Sequence, residues 1–432
     1  MERKIVNELL IWKDTPQKQP LLLQGARQVG KTYTMLSFGK QYYKTVAYFS
    51  MEESGEIRAV FERDLNPERI IKELAAHSGQ SILPGETLLI FDEIQACEQA
   101  LTSLKYFAER APQYHIIAAG SLLGVAIRRK NFSFPVGKVD LLHMYPMDFE
   151  EFLWAMGEKP LCSLIREAYN GFTPLTLHNK AMDLYKTYLV VGGMPRVVQE
   201  YVDKRDFDFV VSQQKTLNDS YIADMAKYAS PLDTIRIMSA WASVPAQLAK
   251  ENHKFQYKVI KSGARAANYE LALEWLRDAG MINLCIHTTQ GKLPLSAYAE
   301  NEAFKVYMVD TGLLCSKFDI APNVVLHTPH TFDGFKGALA ENYICQALVT
   351  NGITPYYWTS PGKAEVDFVF QDRQGNILPL EAKSAENVRS KSLRNYQDIY
   401  KPVYSYRVSA KNFGFENGIK SVPLYAVFCL TI

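Results

Sequence analysis

A multidomain α/β fold is what this 432-residue sequence predicts, with a parallel sheet in its first third, and three observations point that way. The apolar run Leu21 to Leu23 stops directly before Gly25-Ala26-Arg27-Gln28-Val29-Gly30-Lys31-Thr32, the Gly-x-x-x-x-Gly-Lys-Thr spacing of a phosphate-binding loop between a strand and a helix. A second apolar run, Leu88 to Phe91, ends in the paired acids Asp92 and Glu93, as a central parallel strand does when it delivers polar groups at its C-terminal edge. Lys44 to Ser50 and Tyr114 to Gly120 read as further strands, and Leu101 to Ala108 has the spacing of an amphipathic helix, so the order is βαβ throughout.

With 47% hydrophobic and 22% charged residues the composition is that of an ordinary globular protein, and the length suits roughly two to four domains. Forty-eight basic against 46 acidic side chains leave a formal charge of +2, so any nucleic-acid contact must come from local patches rather than a whole-chain field. Cys97, Cys162, Cys285, Cys315, Cys345 and Cys429 form no C-x-x-C pair, and Met1-Glu2-Arg3-Lys4 opens no signal-peptide core, so a reducing cytoplasm is the expected setting. The most apolar window, His115 to Ile127, is too short to span a bilayer, and no membrane segment is expected. His327 and His330, the only close histidine pair, lie in a Pro-containing stretch without further ligands and read as a solvated turn.

The loop's residue types have a chemical logic. Gly25 and Gly30 let backbone N–H groups curl around a polyphosphate, Lys31 reaches the β and γ phosphates, and Thr32 offers its hydroxyl to Mg²⁺. The nucleotide-contacting set therefore runs Gly25, Ala26, Arg27, Gln28, Val29, Gly30, Lys31, Thr32 and Tyr33, backed by the positive N-terminal end of the following helix. Asp92 is expected to hold Mg²⁺ through its water shell, and Glu93 to orient and partly deprotonate the attacking water. Ser121, just past the Ile116 to Gly120 strand, is either a γ-phosphate sensor or a plain helix N-cap.

Between Ile235 and Leu314 the expected order is three helices and two strands: Ile235 to Trp241, Pro245 to Asn252, Tyr269 to Ala279, Ile282 to Thr288 and Phe304 to Val309. That order suggests a winged helix-turn-helix with Leu271, Leu273, Leu276 and Ile282 as its buried stripe. Lys250, Lys254, Lys258, Lys261 and Arg265 face one acid, Glu251, and the spacing of the first three groups them on one helical face able to meet DNA phosphates. A merely solvated charge run is the alternative.

Near the C-terminal end, Glu365 to Phe370 alternates so that Val366, Phe368 and Phe370 share one face and Glu365 and Asp367 the other. A Gln-Gly-Asn turn leads to Leu378 to Lys383, where Glu381 and Lys383 again share a face, so a hairpin would bring Asp367, Glu381 and Lys383 together. That set resembles the Asp…Glu-x-Lys core of restriction-type nucleases, in which carboxylates hold Mg²⁺ and the lysine stabilises the attacking hydroxide or the phosphate. Tyr396 and Gln397, among Arg389, Lys391, Arg394 and Lys401, make a basic and aromatic stretch suited to a nucleic-acid backbone. The alternatives are salt bridges at a sheet edge, or a docking module that does not cleave.

Together the P-loop octapeptide, Asp92-Glu93-Ile94-Gln95, Ala119-Gly120-Ser121, Tyr145 to Leu153, Gly192-Gly193-Met194-Pro195 and the acidic motifs resemble prokaryotic AAA+ ATPases with a lid, a winged helix and a restriction-endonuclease-like C-terminal domain. The likeness extends over almost the whole chain. It implies ATP as the nucleotide, Gly193 and Pro195 in a lid turn near the adenine, and Glu341 as the upstream acidic metal position beside Asp367 and Glu381. Relatives in this family carry arginine at the place of Lys138, and lysine lacks the bidentate fork of an arginine finger, which leaves Arg128 and Arg129 as substitutes to test. The segments expected are a P-loop domain at 1–142, a helical lid at 143–228, a winged helix at 229–316 and a nuclease-like domain at 317–432. The function expected is an ATPase coupling nucleotide state to a DNA-binding, Mg²⁺-dependent DNA-cleaving domain, with a non-cleaving nucleotide switch for a protein or DNA partner as the alternative. A homo-oligomer stays open.

Overall fold

The structure is a computed structural model that describes every residue except 128–133, 251–253, 328–332, 361–363, 385–390 and 432, and omits the side chains of 228, 333 and 334. Arg128, Arg129, Glu251, His330 and Arg389 thus lie outside the described residues. The chain forms two compact units, one of residues 1–145 with 278–280 and one of 146–277 with 281–432.

The first unit runs α1 (Ile5–Asp14), β1 (Leu21–Gln24), α2 (Lys31–Tyr42), β2 (Thr45–Ser50), α3 (Gly55–Arg63), α4 (Pro67–Ser78), β3 (Thr87–Asp92), α5 (Glu98–Arg110), β4 (His115–Gly120), α6 (Leu123–Ile127) and β5 (Asp140–His143). Its five strands form a wholly parallel sheet in the order β2-β3-β4-β1-β5. Every residue of β3 is buried, which explains why its sequence is nearly all apolar: a parallel strand covered on both faces has no solvent side to mark. Phe49, Phe91, Leu101, Leu104 and Phe107 join one core on the α3–α5 side of the sheet. Local signals set the helix ends: Asn66 accepts from the Glu68 N–H with Pro67 in the first turn, and Gly79 closes α4 at φ 66°.

The second unit begins with α7 (Phe149–Ala155), α8 (Lys159–Gly171), α9 (His178–Val191), α10 (Pro195–Lys204), α11 (Phe207–Tyr228), α12 (Pro231–Leu248), α13 (Tyr257–Ile260) and α14 (Ala266–Asp278). It continues with β6 (Ile282–Thr288), β7 (Ala299–Met308), α15 (Thr311–Lys317), α16 (Pro322–His327), α17 (Asp333–Thr350), β8 (Tyr356–Thr359), β9 (Glu365–Gln371) and β10 (Ile377–Ala382). It ends with α18 (Lys391–Tyr400), β11 (Ser405–Ser409), β12 (Gly414–Glu416) and β13 (Ile419–Pro423). A reciprocal capping box starts α7: Asp148 accepts from the Glu151 N–H and Glu151 accepts from the Asp148 N–H, the local reason the Met-Asp-Phe-Glu-Glu run enters a helix where it does.

Four expectations for the middle of the chain change here. Pro245 lies inside α12 rather than starting a second helix, so the two expected helices are one. Lys250, Lys254 and Lys258 do not share a helical face: α12 stops at Leu248, Lys254 bridges the backbone of Lys305, and Lys258 sits in the four-residue α13. Leu271 is 73% exposed, and the buried side of α14 is Ala272, Leu273 and Leu276. The hairpin expected as a wing, β6 with β7, is no separate module either. It forms one edge of an eight-stranded mixed sheet, β12-β13-β11-β10-β9-β8-β6-β7, through parallel pairing of Ile286 to Thr288 with Tyr356 to Trp358.

Candidate functional site

At the C-terminal edge of the first sheet, β1 hands the chain to the P-loop and β3 delivers the acids. Gly25 at φ 147° has no room for a side chain, since a Cβ there would lie 2.1 Å from the Met144 carbonyl oxygen, and Gly30 at φ 95° is the left-handed entry to α2. The Arg3 guanidinium donates to the Val29 carbonyl at 2.9 Å, buttressing the loop from α1's leading end. Lys31 is 6% exposed and its ammonium donates to the carbonyls of Gly25 at 2.9 Å and Ala26 at 2.8 Å. Burial draws the Lys31 pKa down to about 8, against the pull of Glu93 and Asp92.

Thr32 Oγ1 donates to Asp92 Oδ2 at 2.6 Å, so the two residues expected to hold Mg²⁺ already meet. Tyr48 on β2 donates to the same oxygen at 3.1 Å, a positioning contact that no local pattern announces. Glu93 takes a left-handed backbone at φ 49°, which turns its carboxylate off the end of β3. That carboxylate accepts from Gln95 Nε2 at 2.5 Å and from the Ser121 hydroxyl at 3.4 Å. Ser121 therefore lies against the expected water-orienting acid. Tyr33 points away, 63% exposed, and Lys138 is paired with Glu109 at 3.3 Å.

Gly120 explains how Gln95 reaches Glu93. A Cβ on residue 120 would sit 2.2 Å from Gln95 Oε1, an atom that is buried without a hydrogen-bond partner. Because the obstructing atom is the tip of a flexible side chain, Gly120→Ala should displace Gln95 and leave the sheet intact. Both Gly120→Ala and Gln95→Ala are expected to lower kcat for ATP about tenfold with KM unchanged, as loss of one hydrogen bond to a charged group would. The double variant should be no worse than either, since both remove one contact. Steady-state kinetics of the three variants check this.

Gly193 and Pro195 belong to the second unit, and there the double glycine answers to packing. A Cβ on Gly193 would lie 1.9 Å from the Met147 carbonyl, and one on Gly192 would lie 2.3 Å from the Asp310 carboxylate. Asp310 is fully buried and accepts from the N–H groups of Gly193 at 2.6 Å and Leu313 at 2.9 Å. Burial outweighs these bonds and raises its pKa from 3.8 to about 6. A carboxyl raised on folding binds protons more tightly in the native state, so it favours the fold below its unfolded pKa, and that contribution is lost as pH rises to about 6. Asp310→Asn should remove a slope of up to about 1.4 kcal/mol per pH unit between pH 4 and 6, read as the difference between the two chains' chemical unfolding curves.

In the C-terminal sheet the hairpin pairs as expected, Phe370 opposite Leu378 and Phe368 opposite Leu380. It brings the three polar residues together: Asp367 Oδ2 accepts from the Ala382 N–H at 2.8 Å, and Lys383 lies 3.2 Å from Glu381. Glu341, on α17, joins them through a residue that nothing in the sequence marks. Lys305 on β7, 1% exposed at its side chain, lies 2.6 Å from Glu365 and 3.8 Å from Glu341, which also accepts from the Tyr307 hydroxyl at 3.0 Å. Burial works against the Lys305 charge, yet Glu341, Glu365 and Asp367 hold its pKa well above the usual lysine value. Burial, then Glu341, pushes Asp367 up to about 7.

The acids expected to hold a metal already make protein contacts. Of the oxygens in Glu341, Asp367 and Glu381, protein donors already serve the first two residues, and Glu381 Oε2 is the one buried without a partner. Among the described residues no three His, Cys, Asp or Glu side chains are grouped to hold a metal ion. The Lys305 ammonium places a buried positive charge beside Glu341 and Glu365. Tyr396 is likewise not a stacking platform, being fully buried against Trp358 with ring centroids 5.1 Å apart, whereas Lys391, Arg394 and Lys401 are exposed. All six cysteines are buried and none is in a disulfide, and no helix among the described residues is long and apolar enough to cross a membrane.

Three family models match the sequence: an AAA domain over residues 17–153, and two domains of unknown function, DUF8612 over 182–323 and DUF4143 over 336–427. No curated protein sequence matches the chain. Solved structures similar to it include a Walker-type ATPase of Pyrococcus abyssi, 14% identical, covering 73% of this chain and 95% of that one with a TM-score of 0.47. The ORC2 protein of Aeropyrum pernix is 12% identical over 74% of this chain and 90% of its own, with a TM-score of 0.33. The RuvB Holliday-junction branch-migration motor of Thermotoga maritima is 14% identical over 68% and 91%, with a TM-score of 0.32. With the P-loop, the paired acids of β3 and the five-stranded parallel sheet in place, the first unit carries the segment, residues 17–153, that matches the AAA domain model.

Proposed function

We infer that the chain is an ATP-hydrolysing nucleotide switch whose C-terminal sheet holds a protein or DNA partner without cutting it. Buried Lys31 carries a positive charge satisfied only by two loop carbonyls, an arrangement that favours capture of an anion. Thr32 and Asp92 are the residues that would hold Mg²⁺, which neutralises phosphate charge when bound. Glu93, steadied by Gln95 and Ser121, orients the attacking water and accepts its proton. Hydrolysis then leaves ADP and inorganic phosphate, and the change of charge at the loop is the signal that the switch transmits.

The single observation behind the non-cleaving half is Lys305, buried between Glu341 and Glu365. A fixed ammonium there supports a structural role for the acids and disfavours a catalytic metal. The test is nicking of supercoiled DNA with Mg²⁺ or Mn²⁺ by wild type, Asp367→Ala and Lys383→Ala. Equal background in all three is expected. Metal-dependent nicking that both substitutions abolish would overturn the reading and restore the nuclease.

A further inference from the structure

The second unit contains a cleft of about 320 Å³, in the size range of small-molecule sites, that neither the nucleotide loop nor the acidic cluster uses. Three segments wall it, all of them described: Gly291 to Leu293 in the loop after β6, Gly375 to Ile377 at the β9–β10 turn, and Tyr396 with residues 400–403 at the C-terminal end of α18. The first two walls meet, since a Cβ on Gly375 would lie 3.6 Å from the Leu293 side chain. Tyr396 is fully buried, and its ring is fixed against Trp358 and Tyr400 at centroid distances of 5.1 and 4.7 Å.

Two features of this lining point to a ligand. The Tyr396 hydroxyl is buried without a hydrogen-bond partner, a costly state for a polar group unless something else completes it. Burial, then the neighbouring Tyr400, holds the phenol well above its usual pKa, so it keeps its proton and is a donor. The hydroxyl ends against Gly291, where a Cβ would collide with its oxygen, so the glycine is what leaves that oxygen room. The second feature is charge. Lys292, which follows Gly291, and Lys401, which follows Tyr400, are exposed parts of the lining, and neither side chain has an ion-pair or hydrogen-bond partner among the described residues. Asp372, the acid of the β9–β10 turn, is already engaged: it accepts from the N–H groups of Gln374 at 3.0 Å and Asn376 at 2.7 Å, and from the Asn376 side-chain amide at 2.8 Å. Leu293, Tyr400, Pro402 and Val403 supply apolar and aromatic surface.

We propose that this cleft is a binding site for a small aromatic carboxylate, whose charged group accepts from the Tyr396 hydroxyl beside Lys292 and whose ring lies against Tyr400 and Pro402. The site stands whether or not the acidic cluster cuts, since it shares no residue with that cluster. At about 30 Å³ per water-sized group, the space suits a ligand of roughly ten heavy atoms, the size of benzoate. Titration of the full chain with benzoate and with benzyl alcohol, its neutral counterpart, followed by NMR of the ligand, tests it. Benzoate is expected to bind at least about tenfold tighter than benzyl alcohol, as a hydrogen bond to a charged group would give. Tyr396→Phe should weaken benzoate binding at least about tenfold, yet unfold at the wild-type temperature or above it, because the hydroxyl it removes has no partner in the free chain. Lys292→Met with Lys401→Met, which removes two exposed charges, should weaken it about threefold and take away its dependence on salt. ATP turnover equal to wild type serves as the control for folding in both variants. Benzyl alcohol binding as tightly as benzoate, benzoate binding that survives Tyr396→Phe unchanged, or no binding of benzoate would overturn the proposal.

Discussion

Glu93→Gln is expected to cut kcat for ATP hydrolysis by about 10²–10⁴-fold, the usual contribution of a positioned general base, while MgATP still binds. The substitution keeps the side chain's size and its place beside Gln95 and Ser121, but a neutral amide neither accepts the water's proton nor stabilises the charge that develops on it. Binding survives because the phosphates are held by other groups: the loop amides, Lys31 and the start of α2. The two effects separate cleanly in measurement. Calorimetric titration with a non-hydrolysable analogue should give a Kd within about threefold of wild type, and single-turnover phosphate release should carry the whole loss. A variant that hydrolyses at the wild-type rate would remove Glu93 from the chemistry.

Lys305→Met has the second large effect, on stability. The methionine fits the volume of the lysine stem but takes away the buried ammonium that lies against Glu341 and Glu365, leaving these acids and the raised Asp367 facing one another. Breaking a buried ion pair on one side in this way costs about 3–5 kcal/mol, most of it the desolvation of the charges left behind. The sign with pH follows. Without Lys305 the carboxyls bind protons more tightly in the fold than in the unfolded chain, so the penalty should shrink as pH falls and grow as it rises. Urea unfolding of both chains at several pH values measures it. A Lys305→Met chain as stable as wild type that gains Mn²⁺-dependent nicking would mean that the lysine stands in for a catalytic metal.

Features that depend on neighbours in sequence were legible. The P-loop is an eight-residue local device, and the strands β1, β3 and β4 announce themselves as short apolar runs because burial on both faces forbids polar residues. The β9–β10 hairpin was legible for the complementary reason, a turn between two alternating runs. Lys305 was not. It lies on β7 between Phe304 and Val306, where period-two alternation reads it as a solvent-facing residue, yet this strand is covered on both sides and its partners come from α17 and β9. The basic helical face failed similarly: spacing of four grouped Lys250, Lys254 and Lys258 only on the premise of an unbroken helix, and α12 ends first. Gln95 had a faint signal, the glycine at 120, which makes sense only once the two are seen side by side.

The sheet that runs unbroken from β7 to β12 also limits how this protein can be divided. Severing the polypeptide between Ser316 and Lys317 would strip β8 of its β6 neighbour and bare a row of backbone donors and acceptors along Tyr356, Tyr357 and Trp358, three aromatic residues in succession. Such a fragment would tend to stick to other copies of itself. Any shortened version intended to fold alone should therefore begin ahead of Ile282.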